Sequence, residues 1–462
     1  MLFNSGTFAL FFAAFAGLYW LVRNSLLQRN LLILGASWLF YGWWDWRFLG
    51  LLIASSLLDH HLGMAVEQAS GIRRRRLVQL SVVVNLGLLG FFKYAGFFAD
   101  SFARLLQGLG ISADRPTLNI VLPVGISFYT FQSLGYVTDI ANGRIKACRD
   151  RVQFLAFVAF FPQLVAGPIE RAARLLPQFQ TVRTVSLNDL RVGLWWMVLG
   201  LFRKVAVADP CGSLAEIAFQ QPHHTTASVL LGVAAFSFQI YGDFAGYSDM
   251  ARGLARMLGF DLMENFALPY FTTNLREFWR RWHISLSEWL RDNIYIPLGG
   301  NRLGNNRTAM NLGITLVLGG FWHGASWHFV AWGAWHGLAL MGLHFLGIRR
   351  WSAPALLGWV ATQSVVAIGW LLFRAPDMTT AWAMLRALPR WETVAWAGTG
   401  LGYLLWFVVP MLVLDGIQRR RGSADWGSHL APWPRALLLG ALIYAIALAW
   451  SREPASFLYF QF

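Results

Sequence analysis

Apolar stretches of roughly membrane-crossing length recur along the chain, each closed by a short polar or basic cluster. The first covers 8–22 and ends at Arg23 and Arg29; two more, over 31–44 and 48–66, lead to Arg73, Arg74, Arg75 and Arg76. Stretches over 77–98 and 120–140 follow, before Arg144, Lys146, Arg149 and Arg151. Segment 154–167 is apolar but carries Pro162 and Gly167, with positive charge on both flanks, which predicts a re-entrant or broken segment rather than a full span. Further stretches at 192–208 and 227–250 precede a basic region over 252–307, and the tryptophan-rich 321–337 is followed by stretches at 355–373, 396–414 and 436–450. At ~20 residues per crossing, the pattern predicts an all-α polytopic membrane protein with about 11–12 transmembrane helices plus re-entrant and interfacial helices. No internal repeat, low-complexity linker or soluble segment interrupts it, so 1–462 reads as a single membrane domain.

Composition agrees with that pattern. Of 462 residues 56% are hydrophobic and 13% charged, with 24 Trp and 36 Phe, a balance no ordinary soluble domain has. The net charge of +15 sits in short clusters between apolar stretches, without a nucleic-acid motif, so a nucleic-acid partner is not expected. The clusters report topology: the positive-inside rule places 23–29, 73–76 and 419–421 in the cytoplasm and both termini outside. No Lys or Arg precedes the first stretch, which therefore lacks the basic start of a secretory signal and reads as an uncleaved span. Cys148 and Cys211 have neither zinc-site nor redox-motif spacing and read as packing residues.

Candidate chemistry enters with histidine. FWHGASWHFVAWGAWHG (321–337) sets His323, His328 and His336 among four tryptophans, and an ionisable residue inside a membrane marks function until shown otherwise. A five-residue step on a helix turns His323 and His328 ~140° apart, so a helical metal pair is not expected and no metal site is predicted. His60, His61, His223 and His224 lie at span ends and read as non-catalytic. Gly319, Gly320 and Gly324 around His323 permit close backbone approach by a neighbour or a substrate; a buried structural histidine and a catalytic one fit this pattern equally. A second histidine, His283, lies in LREFWRRWHISLSEWLRDNIYIPLGGNR (275–302), where Trp279, Trp282, Leu286, Trp289 and Leu290 recur at steps of three and four. Arg280 and Arg281 belong to the basic remainder of that amphipathic wheel, which predicts a segment along the cytoplasmic interface. They serve either as lipid-headgroup anchors or as a vestibule for an anionic cytosolic donor such as acyl-CoA. Asp243, Tyr247, Ser248, Asp249, Gln132 and Asp139 fit interhelical hydrogen bonds better than a substrate tunnel. Pro123, Gly125, Pro162 and Gly167 are expected to break helices around a cavity.

Five stretches in order carry a resemblance: LPVGISFYTFQSLGYVTDI (122–140), FPQLVAGPIER (161–171), QIYGDFAGYSDMARG (239–253), the His283 stretch, and GGFWHGASWHFVAWGAWHG (319–337). The chain resembles the membrane-bound O-acyltransferase (MBOAT) superfamily, in its bacterial branch of alginate O-acetyltransferase membrane subunits, related to the D-alanyl transfer proteins of teichoic acid modification. The resemblance implies the MBOAT fold, with helices around a central tunnel, and acyl transfer. It gives His323, in the W-H-G element, as the catalytic residue and His283, in the R-R-W-H-x-S-L element, as the second functional histidine. Moving an acetyl group from thioester to hydroxyl requires the hydroxyl to lose its proton, a task suited to neutral imidazole. His323 is the candidate base, with Phe321, Trp322 and Trp327 as the apolar wall that excludes water. His283 either donates to the developing oxyanion or orients the thioester; a transient acetyl-imidazole on His323 is a third route.

The expected function is a multi-pass O-acetyltransferase subunit of the bacterial inner membrane, embedded in lipid, with acetyl-CoA as donor substrate and no permanently bound cofactor. No segment reads as an extracytoplasmic domain able to grip a polymer. The family's logic therefore implies a periplasmic SGNH-type acetyltransferase partner within a polysaccharide biosynthesis complex. Alginate, cellulose and peptidoglycan are the acceptors in view. The competing class is a transporter or flippase for a lipid-linked precursor, expected to show repeat symmetry or paired broken helices; a third is a structural scaffold whose histidines are dispensable.

Overall fold

The computed structural model describes residues 1–111, 120–348, 354–451 and 457–458, which contain helices and turns and no strand among them. The physical reason is the solvent: lipid offers no partner to a backbone N–H or C=O, and an α-helix satisfies both within one segment. Among the described residues, six helical stretches have the length and hydropathy to cross a membrane: Trp46–Gln68, Gly71–Gly108, Thr226–Met257, Ala355–Arg374, Ala397–Arg421 and Pro432–Ala449. The other apolar stretches of the sequence also lie on helices, shorter or more polar than these. The chain forms two compact units.

The first unit comprises Met1–Ser186 with Ala255–Leu262. It contains α1 (Gly6–Val22), α2 (Leu26–Gly42), α3 (Trp46–Gln68), α4 (Gly71–Leu89), α5 (Ala95–Gly108), α6 (Ile126–Ala141), α7 (Arg151–Ala159), α8 (Phe161–Leu164) and α9 (Ala172–Phe179). Segment 154–167 is broken as its prolines and glycines predict: α7 stops at Ala159 and α8 is a single turn with Pro162 inside it. Gly125 starts α6 with φ +74°, and a Cβ there would stand 2.9 Å from the Leu164 carbonyl oxygen, so these breaks pack on each other. Arg29, which the charge pattern assigns to a basic loop cluster, is fully buried. Its guanidinium donates to the carbonyl of Thr181 at 2.8 Å and that of Phe179 at 3.3 Å, at the C-terminal end of α9 where helix carbonyls lack partners. Gln132 and Gln163 bond to each other, Nε2 to Oε1 at 2.9 Å.

The second unit comprises Leu187–Leu254 with Met263–Phe462. Its helices are α10 (Leu187–Leu201), α11 (Asp209–Phe219), α12 (Thr226–Met257, whose last turn belongs to the first unit), α13 (Leu275–Arg281), α14 (Ile284–Leu290), α15 (Asn305–His323), α16 (Trp327–Phe345), α17 (Ala355–Arg374), α18 (Met378–Ala387), α19 (Ala397–Arg421) and α20 (Pro432–Ala449). α10 and α12 cross backbone to backbone: a Cβ on Gly200 would lie 2.5 Å from the Gly246 oxygen, and one on Gly246 would lie 2.7 Å from the Gly200 oxygen. Small residues at such crossings are how membrane helices gain contact without a hydrophobic driving force. The acidic residues of α12 form buried ion pairs. Asp249 pairs with Arg203, which also reaches Asp415, and Asp243 pairs with Lys204 at 2.7 Å. Buried charges persist only when paired in this way.

Candidate active site

Helices α15 and α16 form a hairpin whose closeness is set by glycine. A Cβ on Gly320 would stand 2.3 Å from the Phe329 carbonyl oxygen, and one on Gly333 would stand 2.4 Å from the Leu316 carbonyl oxygen. Backbone atoms cannot step aside, so any side chain would pry the hairpin apart. The chain breaks over 324–326, and this separates the histidines of the tryptophan-rich segment. His323 closes α15, whereas His328 sits in the first turn of α16. His323 and His328 therefore belong to different helices and are not held to the angular spacing of one. The break also changes the wall around His323. Trp327, expected in that wall, is turned outward and 60% exposed. The imidazole instead meets the edges and faces of Trp322 (5.0 Å between ring centroids), Trp332 (5.1 Å) and Phe373 (5.3 Å).

The amphipathic segment around His283 is broken too. α13 ends at Arg281 and α14 starts at Ile284, with His283 between them at φ 43°, ψ 56°. A non-glycine residue in this left-handed region costs on the order of 1–2 kcal/mol, so something must hold it. The holder is Asn265. Its Oδ1 accepts from the Ser285 N–H at 3.2 Å and the Ser285 hydroxyl at 2.9 Å, and stands 3.2 Å from His283 Nδ1. Its backbone oxygen accepts from the Ile284 N–H at 2.9 Å. The Ser285 N–H can only donate, so the amide oxygen of Asn265 faces His283, and Nδ1 carries the hydrogen in the neutral ring. Nε2 is then the nitrogen with the lone pair. His283 lies outside the six spanning helices, and burial pushes its pKa below the ordinary histidine value, which favours that neutral form.

Both imidazoles line one cavity of about 270 Å³, with ring centroids 6.4 Å apart. Trp279, Leu286, Leu290, Leu316 and Trp332 make its walls apolar, with Arg280, Ser287, Arg291, Tyr295 and Thr315 as the polar groups. A neutral base among apolar walls of this kind can take a proton from a hydroxyl while limiting the access of water to a thioester. The two arginines of the predicted vestibule part company. Arg280 lines this cavity, whereas Arg281 points to a separate polar pocket and pairs with Glu277 at 2.6 Å. His336 is fully buried between Trp279 (5.0 Å) and Trp332 (5.2 Å), behind the cavity wall, and His328 packs on Phe329.

The sequence model of the family described as "MBOAT, membrane-bound O-acyltransferase family" matches residues 149–376, the part of the chain that carries both imidazoles and every residue lining their cavity. A protein of Azotobacter vinelandii named "Probable alginate O-acetylase AlgI" is 44% identical over 395 residues, covering 84% of this chain and 78% of its own length. The chain belongs to the membrane-bound O-acyltransferase family. As an MBOAT protein it is an acyltransferase and a multi-pass membrane protein, which displaces the transporter and scaffold readings. A Pseudomonas putida protein with the same alginate O-acetylase name is 38% identical over 493 residues, covering both chains fully. The "Peptidoglycan O-acetyltransferase" of Helicobacter pylori is 34% identical over 427 residues, covering 84% of this chain and 80% of that one.

Asn265, Ser285, Trp332 and Phe373 were not singled out in the sequence. Trp332 lies within the quoted histidine segment, so its tryptophan content was a usable signal. Asn265 sits in an irregular stretch with no periodicity, 18 residues before the histidine it holds, and nothing local marks it.

Proposed function

We propose that this MBOAT protein is the membrane O-acetyltransferase of a bacterial polysaccharide O-acetylation system. It sits in the inner membrane, takes acetyl from cytosolic acetyl-CoA and passes it toward the periplasmic side. The observation that carries this reading is the pair of buried imidazoles on one apolar cavity, 6.4 Å apart between ring centroids. In the reaction the acceptor hydroxyl oxygen attacks the thioester carbonyl carbon as His323 takes the hydroxyl proton. The tetrahedral intermediate then expels the thiolate, which takes that proton back from the imidazolium. Trp322, Trp332 and Phe373 shield the thioester from water.

His283 has a narrower set of roles than the sequence leaves open. With hydrogen on Nδ1 and the ring neutral, Nε2 accepts and does not donate, so it aligns the incoming hydroxyl rather than stabilising the oxyanion. The same tautomer favours a second division of labour, in which His283 is the proton acceptor and His323 the aligning group. The final acceptor class is a polysaccharide hydroxyl: relatives of comparable coverage carry names for alginate and for peptidoglycan. A periplasmic SGNH-type acetyltransferase is the proposed next carrier.

The experiment is substitution followed by rescue. His323→Gln and His283→Gln, each checked for membrane insertion, should both lose polymer acetylation. Adding free imidazole to His323→Gly and His283→Gly identifies the base, since a diffusible base restores the variant that lacks it. A well-inserted His323→Gln protein that acetylates as the wild type does would overturn the reading.

A further inference from the structure

The stretch QIYGDFAGYSDMARG (239–253) puts charge into α12, a helix with the length and hydropathy to cross the membrane, and acyl transfer as derived above does not use that charge. Asp243 and Asp249 are buried, and so are Arg203, Lys204 and Asp415. Lys204 reaches Asp243 at 2.7 Å and Asp209 at 2.8 Å, while Arg203 joins Asp249 of α12 to Asp415 of α19. Apolar side chains of similar volume often hold a fold as well as buried ion pairs do, and the best-attested use of such pairs is to fix register. Inside a membrane, ionisable groups mark function by default. Both cations come from Phe202–Ala208, where the helix widens into a π-helical turn, a device frequent at functional sites. α12 packs on that turn through glycine: a Cβ on Gly242 would stand 2.8 Å from the Arg203 carbonyl oxygen, and one on Gly246 would stand 3.1 Å from the Lys204 nitrogen.

The other side of α12 faces the reacting site. At ~100° per residue, Phe244 and Ser248 lie across the helix from Gly242 and Gly246. The Phe244 ring meets the His283 imidazole edge to face, with 4.6 Å between centroids. The Ser248 hydroxyl accepts from Asn265 Nδ2 at 3.3 Å, the other end of the amide whose oxygen faces His283. One helix therefore carries ion pairs on one side and the supports of an imidazole on the other, and any rotation of α12 moves both. We propose that the pairs Lys204–Asp243 and Asp249–Arg203–Asp415 are positioning residues, which lock the rotation of α12 so that Phe244 and Ser248 hold His283 in its reactive orientation. Apolar contacts alone are non-directional; charges bonded on two flanks of the helix admit one rotation. The proposal rests on the acyl-transfer reading, in which His283 acts at the cavity, and holds whichever histidine is the base.

The test is a kinetic cycle on the full-length protein in membrane vesicles, reading kcat and KM for acetyl transfer from acetyl-CoA beside the amount of inserted protein. Arg203→Lys keeps the buried charge but loses the planar fork that spans two carboxylates. Ser248→Ala cuts the link from α12 to Asn265. Arg203→Lys should lower kcat about tenfold and Ser248→Ala several-fold, with KM and inserted protein unchanged, because a small misplacement of a reacting group is costly. In an Asn265→Ala background, where the clamp is already gone, neither should lower kcat further. Losses that multiply with Asn265→Ala overturn the proposal, since the changes then act at separate places, and so does an inserted Arg203→Lys protein with wild-type kcat. If Arg203→Lys does not insert, the Ser248→Ala cycle decides by the same two outcomes. His323→Gln, run alongside, keeps the two readings apart. Wild-type transfer by that variant overturns the acyl-transfer reading, whereas its loss together with wild-type kcat in the α12 variants overturns this proposal alone.

Discussion

His283 and His323 face one cavity but are held by different physics. His283 stands between two short helices in a left-handed conformation, and a polar clamp of Asn265 and Ser285 decides which of its nitrogens carries the hydrogen. His323 ends a long helix that glycine contacts press against its partner, and aromatic rings surround it. Hydrogen bonds specify a tautomer and an orientation at once. Around His323 the rings of Trp322, Trp332 and Phe373 set the orientation of the imidazole. The cavity thus joins one ring oriented by hydrogen bonds to another oriented by aromatic contacts.

The largest effect should come from breaking the pair. His323→Gln retains a hydrogen bond but cannot take a proton, and the loss of a general base is worth roughly 10²- to 10⁴-fold. Polymer acetylation should fall by that order with protein level unchanged, and His283→Gln should be comparably severe. Next comes the clamp. Asn265→Ala frees the His283 ring, and kcat for acetyl transfer should drop by about tenfold or more; Asn265→Asp keeps an acceptor facing Nδ1 and should recover part of the loss. Equal activity in the Ala and Asp variants would show that the clamp only fills space. A third, smaller effect separates neighbouring arginines: Arg280→Glu, on the cavity, should raise KM for the acyl donor several-fold with kcat retained, as expected for lost uniform binding. An unchanged donor dependence in this folded variant would leave Arg280 as a topology signal. The smallest changes belong to His328→Ala and His336→Ala. Neither side chain lines the cavity, so acetylation per unit of inserted protein should stay near the wild-type value. His336→Ala should still lower protein yield, because it opens a void beside Trp279 and Trp332.

Much of this was legible from local pattern. The apolar stretches lie on helices, and Pro162, Gly167 and Gly125 break the chain where their chemistry requires. Gly320 permits the close approach expected near His323, against the backbone of α16. Both histidines that the motifs pointed to line the same cavity. Arg29 was legible as a charge but not as a buried partner of the carbonyls at 179 and 181, because those residues lie 150 and 152 positions away.

The sequence by itself determined the helical, membrane-embedded character of the chain, the positions of its breaks and the two imidazoles with their tryptophan-rich surroundings. These depend on hydropathy and backbone preference within a few residues, and lipid enforces them without reference to the rest of the fold. Only the tertiary structure decided what those residues face. A hydrophobic wheel keeps its phase only while the helix continues, and at His283 and again over 324–326 it does not. Past each break the phase is set by distant partners. Asn265 holds one turn, so that Arg280 and Arg281 open on different cavities, and the Gly320 and Gly333 contacts hold the other, so that Trp327 turns outward while Trp332 closes over His323.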